Sequence, residues 1–515
     1  MSMTESSTDP TWSDADSADA AQLRAIGYEP VLARRMSGFG NFAISFSIIS
    51  ILSGCMTLFG FGMITGGPRV MVWGWVGVTL AVLLIGLSLA EVTSAYPTSG
   101  ALFFMAHRLG GKGWGWTTGW LNLLGLFGII AGIDYGASEF IGAFTGMAFG
   151  FTPDKWGLIA IFAGVLLLHG LLNTAGVRVL DLFNRVSVWW HLLGVAFIVA
   201  VLFLVPAHHQ SASFVFTHYA NSTGFKSAIY VSAIGLLLTG YTLTGYDASA
   251  HMSEETTQAS ILAPKAIVRS IWVSGVAGLL LIIAFLFSIQ GGAEQYATEA
   301  AGSGYGGTVT APSLIMIDAL GQHWAEVLTL VIIVAQLCCG LAAVGSTARM
   351  VFAFSRDGAL PGSPTWRKVN KRAVPTNAMW LAVVVAFILA LPSLWTIQAY
   401  AAVTAIGTIG LAPAYVIPGF LRARQGNSFQ KGVWNLGKWG PVIGYAASVW
   451  VVIEVILFCL PQGSPITALS FNYAPIALIA ALSLSGVWWL ARGRASYAPP
   501  AGAVEAEQFA DLDVI

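Results

Sequence analysis

The chain alternates between long apolar runs and short polar segments. Crossing about 30 Å of hydrocarbon takes roughly 20 apolar residues as a helix. Twelve stretches meet that requirement, near 41–65, 71–95, 114–147, 156–175, 182–205, 227–250, 266–289, 324–350, 376–392, 397–420, 441–460 and 472–491. The third is long, so a tilted helix or an interfacial turn is expected there. The segment before Met36 is polar and acidic and has no apolar core of a signal peptide. A disordered cytoplasmic tail is expected over 1–35 and another over 493–515.

Composition fits the same picture. Of 515 residues, 56% are hydrophobic and 9% carry a formal charge, against about 25% charged in a soluble domain. Such a chain cannot cover its surface in water. This excludes an ordinary cytosolic enzyme, a nucleic-acid binder and a disordered scaffold. The four cysteines lie in apolar runs without CxxC spacing and read as reduced packing residues. No Walker-type glycine loop, HExxH or soluble domain is present, so ATP-driven pumping and zinc hydrolysis by this chain are not expected. A channel would show a repeated filter, and none is visible. No cofactor is expected.

Charge sets the orientation. With the amino terminus inside, 21 of the 24 Lys and Arg residues fall in inner segments, and Arg69, Lys155 and Lys226 fall outside. The positive-inside rule then places both termini in the cytoplasm and the protein in the cell membrane.

Two spans contain small and polar residues near mid-depth. In span one these are Ser53, Gly54 and Cys55, followed by Thr57. In span six Thr239-Gly240 and Thr244-Gly245 flank Tyr241, and Tyr246-Asp247 follows. Gly weakens a helix, and Ser or Thr can take up freed backbone groups. Small residues also simply let helices pack closely. Breaks at spans one and six are five spans apart, the spacing of two inverted five-helix repeats. Helix ends of opposite polarity would then face each other at mid-depth. They would cradle a zwitterion without a charged side chain.

Ionisable residues within spans are functional candidates by default. Asp134 in span three reads either as a counter-ion or proton acceptor, or as a carboxylate bonded to a neighbouring helix. Glu139 reads as structural or as part of the outer vestibule. Asp247 either caps the helix restarting after the break or contacts substrate. His191 in span five either carries a coupling proton or packs beside Trp189 and Trp190. Glu254 and Glu255 are expected to pair with loop bases at an inner gate, and Glu91 with Arg356 or another inner base. Glu454 in span eleven is expected to serve packing or oligomer contacts. Tyr241 is the preferred gate, with Tyr246 and Phe127 walling the pocket.

These residues sit in stretches that resemble the amino acid/choline transporter family of the amino acid–polyamine–organocation superfamily. The resemblance rests on EVTSAYPTSGAL from Glu91, SVWWHLLG within Asn173–Gly194, and GYDASAHMSEE from Gly245 with Pro264-Lys265-Ala266 after it. It continues with Arg349 through Pro361, containing SRDGALP, with Thr408 through Pro418, and with Asn472-Tyr473-Ala474-Pro475. Together these cover roughly 35–490. The resemblance implies an all-α membrane protein of 12 transmembrane helices. Its core would be a LeuT-like five-plus-five inverted repeat over 36–205 and 206–422, with two further helices over 423–492. It implies alternating access around spans one and six. It also implies substrate contacts from Ser53, Gly54, Cys55, Thr244, Gly245 and Tyr246, joined by Asn122 of the Trp120-Leu121-Asn122 element. The expected function is a secondary-active permease, coupled to protons, for 4-aminobutyrate or a small neutral amino acid. An exchanger, a choline or amine carrier and a non-transporting sensor are the alternatives. The expected partners are a small-molecule substrate, a proton and the lipid bilayer, with no nucleic acid.

Overall fold

The computed structural model describes residues 36–498, except 99, 176, 294, 297–309, 371–373, 396 and 469, together with Ala21 and Arg24. Most of the two expected tails, 1–35 and 493–515, therefore lies outside the described residues. The described residues form helices, and the only β pairing among them is two isolated bridges. Helix is what a lipid environment demands, because it satisfies backbone polar groups within one segment.

Among the described residues eleven helices are long and apolar enough to cross a membrane, and Ala228–Thr242 is a shorter apolar helix at the position of span six. Span one is Gly38–Ile49 continued by Ile51–Thr57 and Phe59–Ile64. Spans two to five are Gly67–Ala95, Lys112–Phe149, Lys155–Thr174 and Val177–Leu204. Span six is Ala228–Gly235 and Leu237–Thr242, then Ala248–His251 after a gap. Spans seven to twelve are Ala259–Phe287, Gln322–Arg356, Thr376–Ala390, Ile397–Gln425, Gly440–Cys459 and Ala474–Trp488. Span three, at 38 residues, is about 57 Å long at the α-helical rise. It must tilt or project from the bilayer, as its sequence suggests.

The packing repeats with a shift of five spans. Span three packs on span ten as span eight packs on span five. Span three meets span nine as span eight meets span four, and spans two and seven pack on each other. At the contact of spans three and ten the backbones of Gly128 and Gly407 touch, as small residues allow in membranes. Span ten is the most enclosed, with 94% of its apolar window buried, whereas spans eleven and twelve have 28% and 11%. These last two lie on the periphery of the bundle.

The basic face carries a buried ion pair. Arg422 Nε lies 2.6 Å from Glu91 Oε2, and Nη2 donates to Glu91 Oε1 at 3.1 Å. The base that meets Glu91 is thus Arg422 of span ten, which packs on span two, and not Arg356. Arg356 ends span eight, and its Nε lies 3.5 Å from Asp357 Oδ1. Beyond span twelve, Tyr497 is buried among Trp116, His107 and Phe354. Residues 493–498 therefore pack on the bundle, where the sequence suggests the start of a tail.

Asp357, just past span eight, is buried with Oδ2 unpartnered. Burial pushes its carboxyl up to about 6 from 3.8, against the opposing pull of Arg356. The fold therefore holds a proton that the unfolded chain has already lost, and stability falls as pH rises through this interval. Asp357→Asn should melt higher than wild type above about pH 6, with the difference closing towards about pH 4. Thermal unfolding in detergent across that range measures it.

Candidate functional site

Span one breaks at Ser50, where φ is 37° and ψ is 76°. A left-handed conformation is uncommon for a residue with a side chain. Its surroundings hold it there. Ser50 Oγ lies 2.7 Å from His191 Nε2 on span five. The carbonyl of Ile48, freed at the break, accepts from Cys339 Sγ of span eight at 3.2 Å. The helix then restarts, with the amides of Ser53 and Gly54 donating to the Ser50 carbonyl at 2.8 and 2.9 Å. The break is thus three residues earlier than the sequence suggests. Ser53, Gly54 and Cys55 form the first turns of the restarted helix, and all are buried.

Span six breaks across residues 243–247, with Gly245 at φ 98°. Thr244 Oγ1 donates to the Tyr241 carbonyl at 2.8 Å. The Gly245 amide donates to Tyr415 Oη of span ten at 3.1 Å, and the Tyr246 and Tyr415 rings lie 4.6 Å apart. Asp247 occupies the cap position of the next helix, but its side chain makes no capping bond there. Its carboxylate instead lies 3.4 Å from His251 Nε2.

The two breaks meet. A Cβ on Gly54 would lie 2.6 Å from Thr242 Oγ1 and 2.8 Å from its Cα. In the segments before the first break and after the second, Ser45 Oγ donates to the Tyr246 carbonyl at 3.0 Å and receives the Ser249 amide at 2.9 Å. Asn41 Nδ2 donates to the Ser249 carbonyl and to Thr256 Oγ1. Main-chain bonds complete the union, with Met36 N donating to the Glu255 carbonyl and Thr257 N to the Met36 carbonyl. Glu255 therefore ties span six to span one through its backbone.

Around the breaks lie buried polar atoms with no hydrogen-bond partner among the described residues. They include Ser53 Oγ, Thr57 Oγ1 and Tyr241 Oη. Thr57 and Tyr400 both face Gly136 of span three, and Tyr241 Oη faces Gly132 one turn earlier. Spans one, three, six and ten thus converge on one polar locus inside an apolar bundle. Polar groups left unpaired in a dry interior are costly. That makes Ser53, Thr57 and Tyr241 candidates for contact with a polar solute.

The remaining candidates sort by neighbour. Asp134 Oδ2 bonds His169 Nδ1 of span four at 3.0 Å, both fully buried. The backbone of Gly340 in span eight packs against the pair. Among the readings of Asp134, the contact present is the bond to a neighbouring helix. His191 gives Nδ1 to the Ser187 carbonyl at 2.7 Å and meets Ser50 with Nε2. Its ring turns away from Trp189, which is exposed on the other face. Asn122 and Glu139 are buried in span three with their polar side-chain atoms unpartnered. Glu454 is buried and points inward to Gly240 of span six, so an oligomer contact is not its place. His169, Ser50, Cys339 and Tyr415 were not singled out by sequence, because each becomes notable only through a partner on a distant span.

A polytopic helical bundle with two discontinuous helices meeting at mid-depth is the architecture of a membrane transporter. The family profile described as amino acid permease matches residues 37–482. An amino-acid permease named BAT1 from Arabidopsis thaliana is 37% identical over 493 residues, covering 93% of this chain and 95% of the relative. A BAT1 homologue from Oryza sativa is 36% identical, covering 94% and 98%. A GABA-specific permease from Saccharomyces cerevisiae is 28% identical, covering 94% and 86%. The chain belongs to the amino acid permease family, a family of transporters and not of enzymes.

Proposed function

We propose that this permease is a secondary-active, proton-coupled carrier of 4-aminobutyrate or a small neutral amino acid, working by alternating access around spans one and six. The supporting observation is the meeting of the two breaks, with Ser53 Oγ, Thr57 Oγ1 and Tyr241 Oη buried and unpartnered beside them. The restarted helix of span one begins at this locus with its leading amides, which suit a carboxylate. The carbonyl end of Leu237–Thr242 suits an ammonium. Thr244, Gly245 and Tyr246 would line the other side, with Tyr241 as gate. The yeast relative's name points to 4-aminobutyrate among the candidates. In this reading the basic face is cytoplasmic and the protein sits in the cell membrane.

Uptake by purified protein in liposomes tests the proposal. Labelled 4-aminobutyrate, alanine, glutamate and choline would be offered with and without an inward proton gradient. Gradient-driven accumulation of 4-aminobutyrate or alanine supports the reading. Flux only against internal substrate replaces it with exchange, and binding without flux replaces it with a sensor.

His191 gives a sharper test of the span-one break. Removing its imidazole leaves the Ser50 hydroxyl buried with only the Ser53 amide, at 3.3 Å, beside it, at a cost of about 1–3 kcal/mol. His191→Leu should therefore slow uptake about 10-fold or more, given that 1.4 kcal/mol is a factor of ten. His191→Gln, which can still reach Ser50, should recover part of it. Initial uptake rates normalised to reconstituted protein measure both.

A further inference from the structure

Glu454, like Glu139, is a buried carboxylate that the site as described leaves without a task. It lies in span eleven, on the bundle's periphery, yet its side chain turns inward and is 2% exposed. Its Oε2 has no hydrogen-bond partner, and no ion pair to it exists among the described residues. A Cβ on Gly240 would lie 2.8 Å from Glu454 Oε1 and 2.8 Å from Phe458. Gly240 belongs to the half-helix Leu237–Thr242 that ends at the span-six break. Beyond the break lies Tyr246, whose ring packs 4.6 Å from that of Tyr415 on span ten. The carboxylate thus rests on the element that must move, at the one point where glycine lets it approach the helix backbone.

Span eleven leads from Glu454 towards a cavity near its far end. Span eleven ends at Cys459, five residues beyond Glu454. The next turn leads to a cavity of about 280 Å³ on the face opposite the chain termini. Gln462, Thr223 and Ser470 are among the residues lining it. Gln462 is buried with its Oε1 unpartnered, so a polar acceptor stands between the cavity and the carboxylate's end of the helix.

The charged and titratable neighbours leave Glu454 uncompensated. Span ten presents Tyr415, and its Arg422 is held by Glu91 of span two beside Gly440, at the other end of span eleven. Arg69 of span two is exposed. Span six offers Tyr230, bonded to the Pro461 carbonyl, and then Tyr246 and Asp247. Span twelve, Ala474–Trp488, has no ionisable side chain. A lone carboxylate so enclosed is far better tolerated neutral than charged.

We propose that Glu454 is the group that takes up and gives back the coupling proton, reached from the face opposite the termini through the cavity lined by Gln462. The inference rests on the proton-coupled reading above. The step is a proton transfer alone. Hydronium at the cavity gives a proton to the carboxylate and leaves water. The neutral acid then sits against Gly240 without a charge to hydrate, and the half-helix can close over it. Return of the proton to water on the basic face regenerates the carboxylate.

The test compares wild type, Glu454→Gln and Glu454→Asp in liposomes, reading gradient-driven accumulation and the pH dependence of substrate counterflow. Wild type that accumulates substrate with the gradient upholds the proton-coupled reading. In that case Glu454→Gln should lose accumulation down to its no-gradient level, with counterflow that no longer responds to pH. Glu454→Asp should accumulate with a displaced pH profile. Should Glu454→Gln fail to fold, the Asp variant decides. Accumulation and a pH profile unchanged from wild type, in whichever variant folds, overturn the assignment of Glu454 alone. A wild type indifferent to the gradient overturns the proton-coupled reading itself, and that outcome is visible before any variant is made.

Discussion

Gly54→Leu combined with Gly245→Leu is expected to abolish substrate binding by this permease, and not merely to slow its transport. At Gly245 a side chain must adopt φ 98°, which costs roughly 1–3 kcal/mol before any contact is considered. It must also displace the Ile48 side chain, which occupies the position of the missing Cβ. At Gly54 even a methyl group lies 2.8 Å from the Cα of Thr242, so a backbone and not only a side chain must yield. Either substitution forces spans one and six apart where their breaks meet. Together they should weaken binding by at least about 1,000-fold, the equivalent of some 4 kcal/mol. Scintillation proximity or calorimetric titration in detergent reads this directly, with thermal unfolding as the control for folding. Undiminished binding in a folded double variant would mean that the substrate sits elsewhere.

The second large effect concerns stability. Arg422→Ala should leave Glu91 charged and alone in a place where both residues are 1% exposed or less. Breaking a buried pair in this way typically costs about 3–5 kcal/mol. The loss spreads further here. Glu91 Oε1 also accepts the Leu436 amide, and the Arg422 guanidinium lies 4.7 Å from the Phe429 ring. The segment leading from span ten to span eleven therefore hangs on this pair. Glu91→Gln should be destabilising for the same reason, whereas the double replacement Glu91→Leu with Arg422→Met should regain much of the loss, since no charge is then stranded. Thermal unfolding of the four proteins compares these costs. A double variant no better than Arg422→Ala would show that the pair acts through its hydrogen bonds to the connecting segment more than through its charges.

The spans were legible because hydrocarbon imposes its thickness on the sequence, and little else reads as 20 apolar residues in a row. The span-six break was legible because Gly245 needs a conformation that only glycine takes easily, and glycine is visible in a sequence. The span-one break lay beyond such reading. Ser50 takes a left-handed conformation held by His191 from 141 residues away, so nothing local marks it. Glycine at position 54 drew attention to the wrong turn; it serves the close approach of Thr242 and not the break. Asp134 stood out as an acid inside a span, but its partner His169 was one histidine among eight, and only the packing of spans three and four joins them. Glu91 was expected to find a base, and which base depended on whether span eight or span ten ran beside span two.

The bonds that join Met36 to Glu255 and Thr257, and Ser45 to Ser249, have a mechanical meaning. The segment of span one before Ser50 and the segment of span six after Gly245 are sewn together along their length, partly through main-chain atoms that substitution cannot remove. In the alternating-access reading proposed above they would move as a single lever, with a fulcrum at each break. A carrier with two independent flaps on its basic side would leak whenever one opened early. A yoked pair opens in one stroke or remains shut.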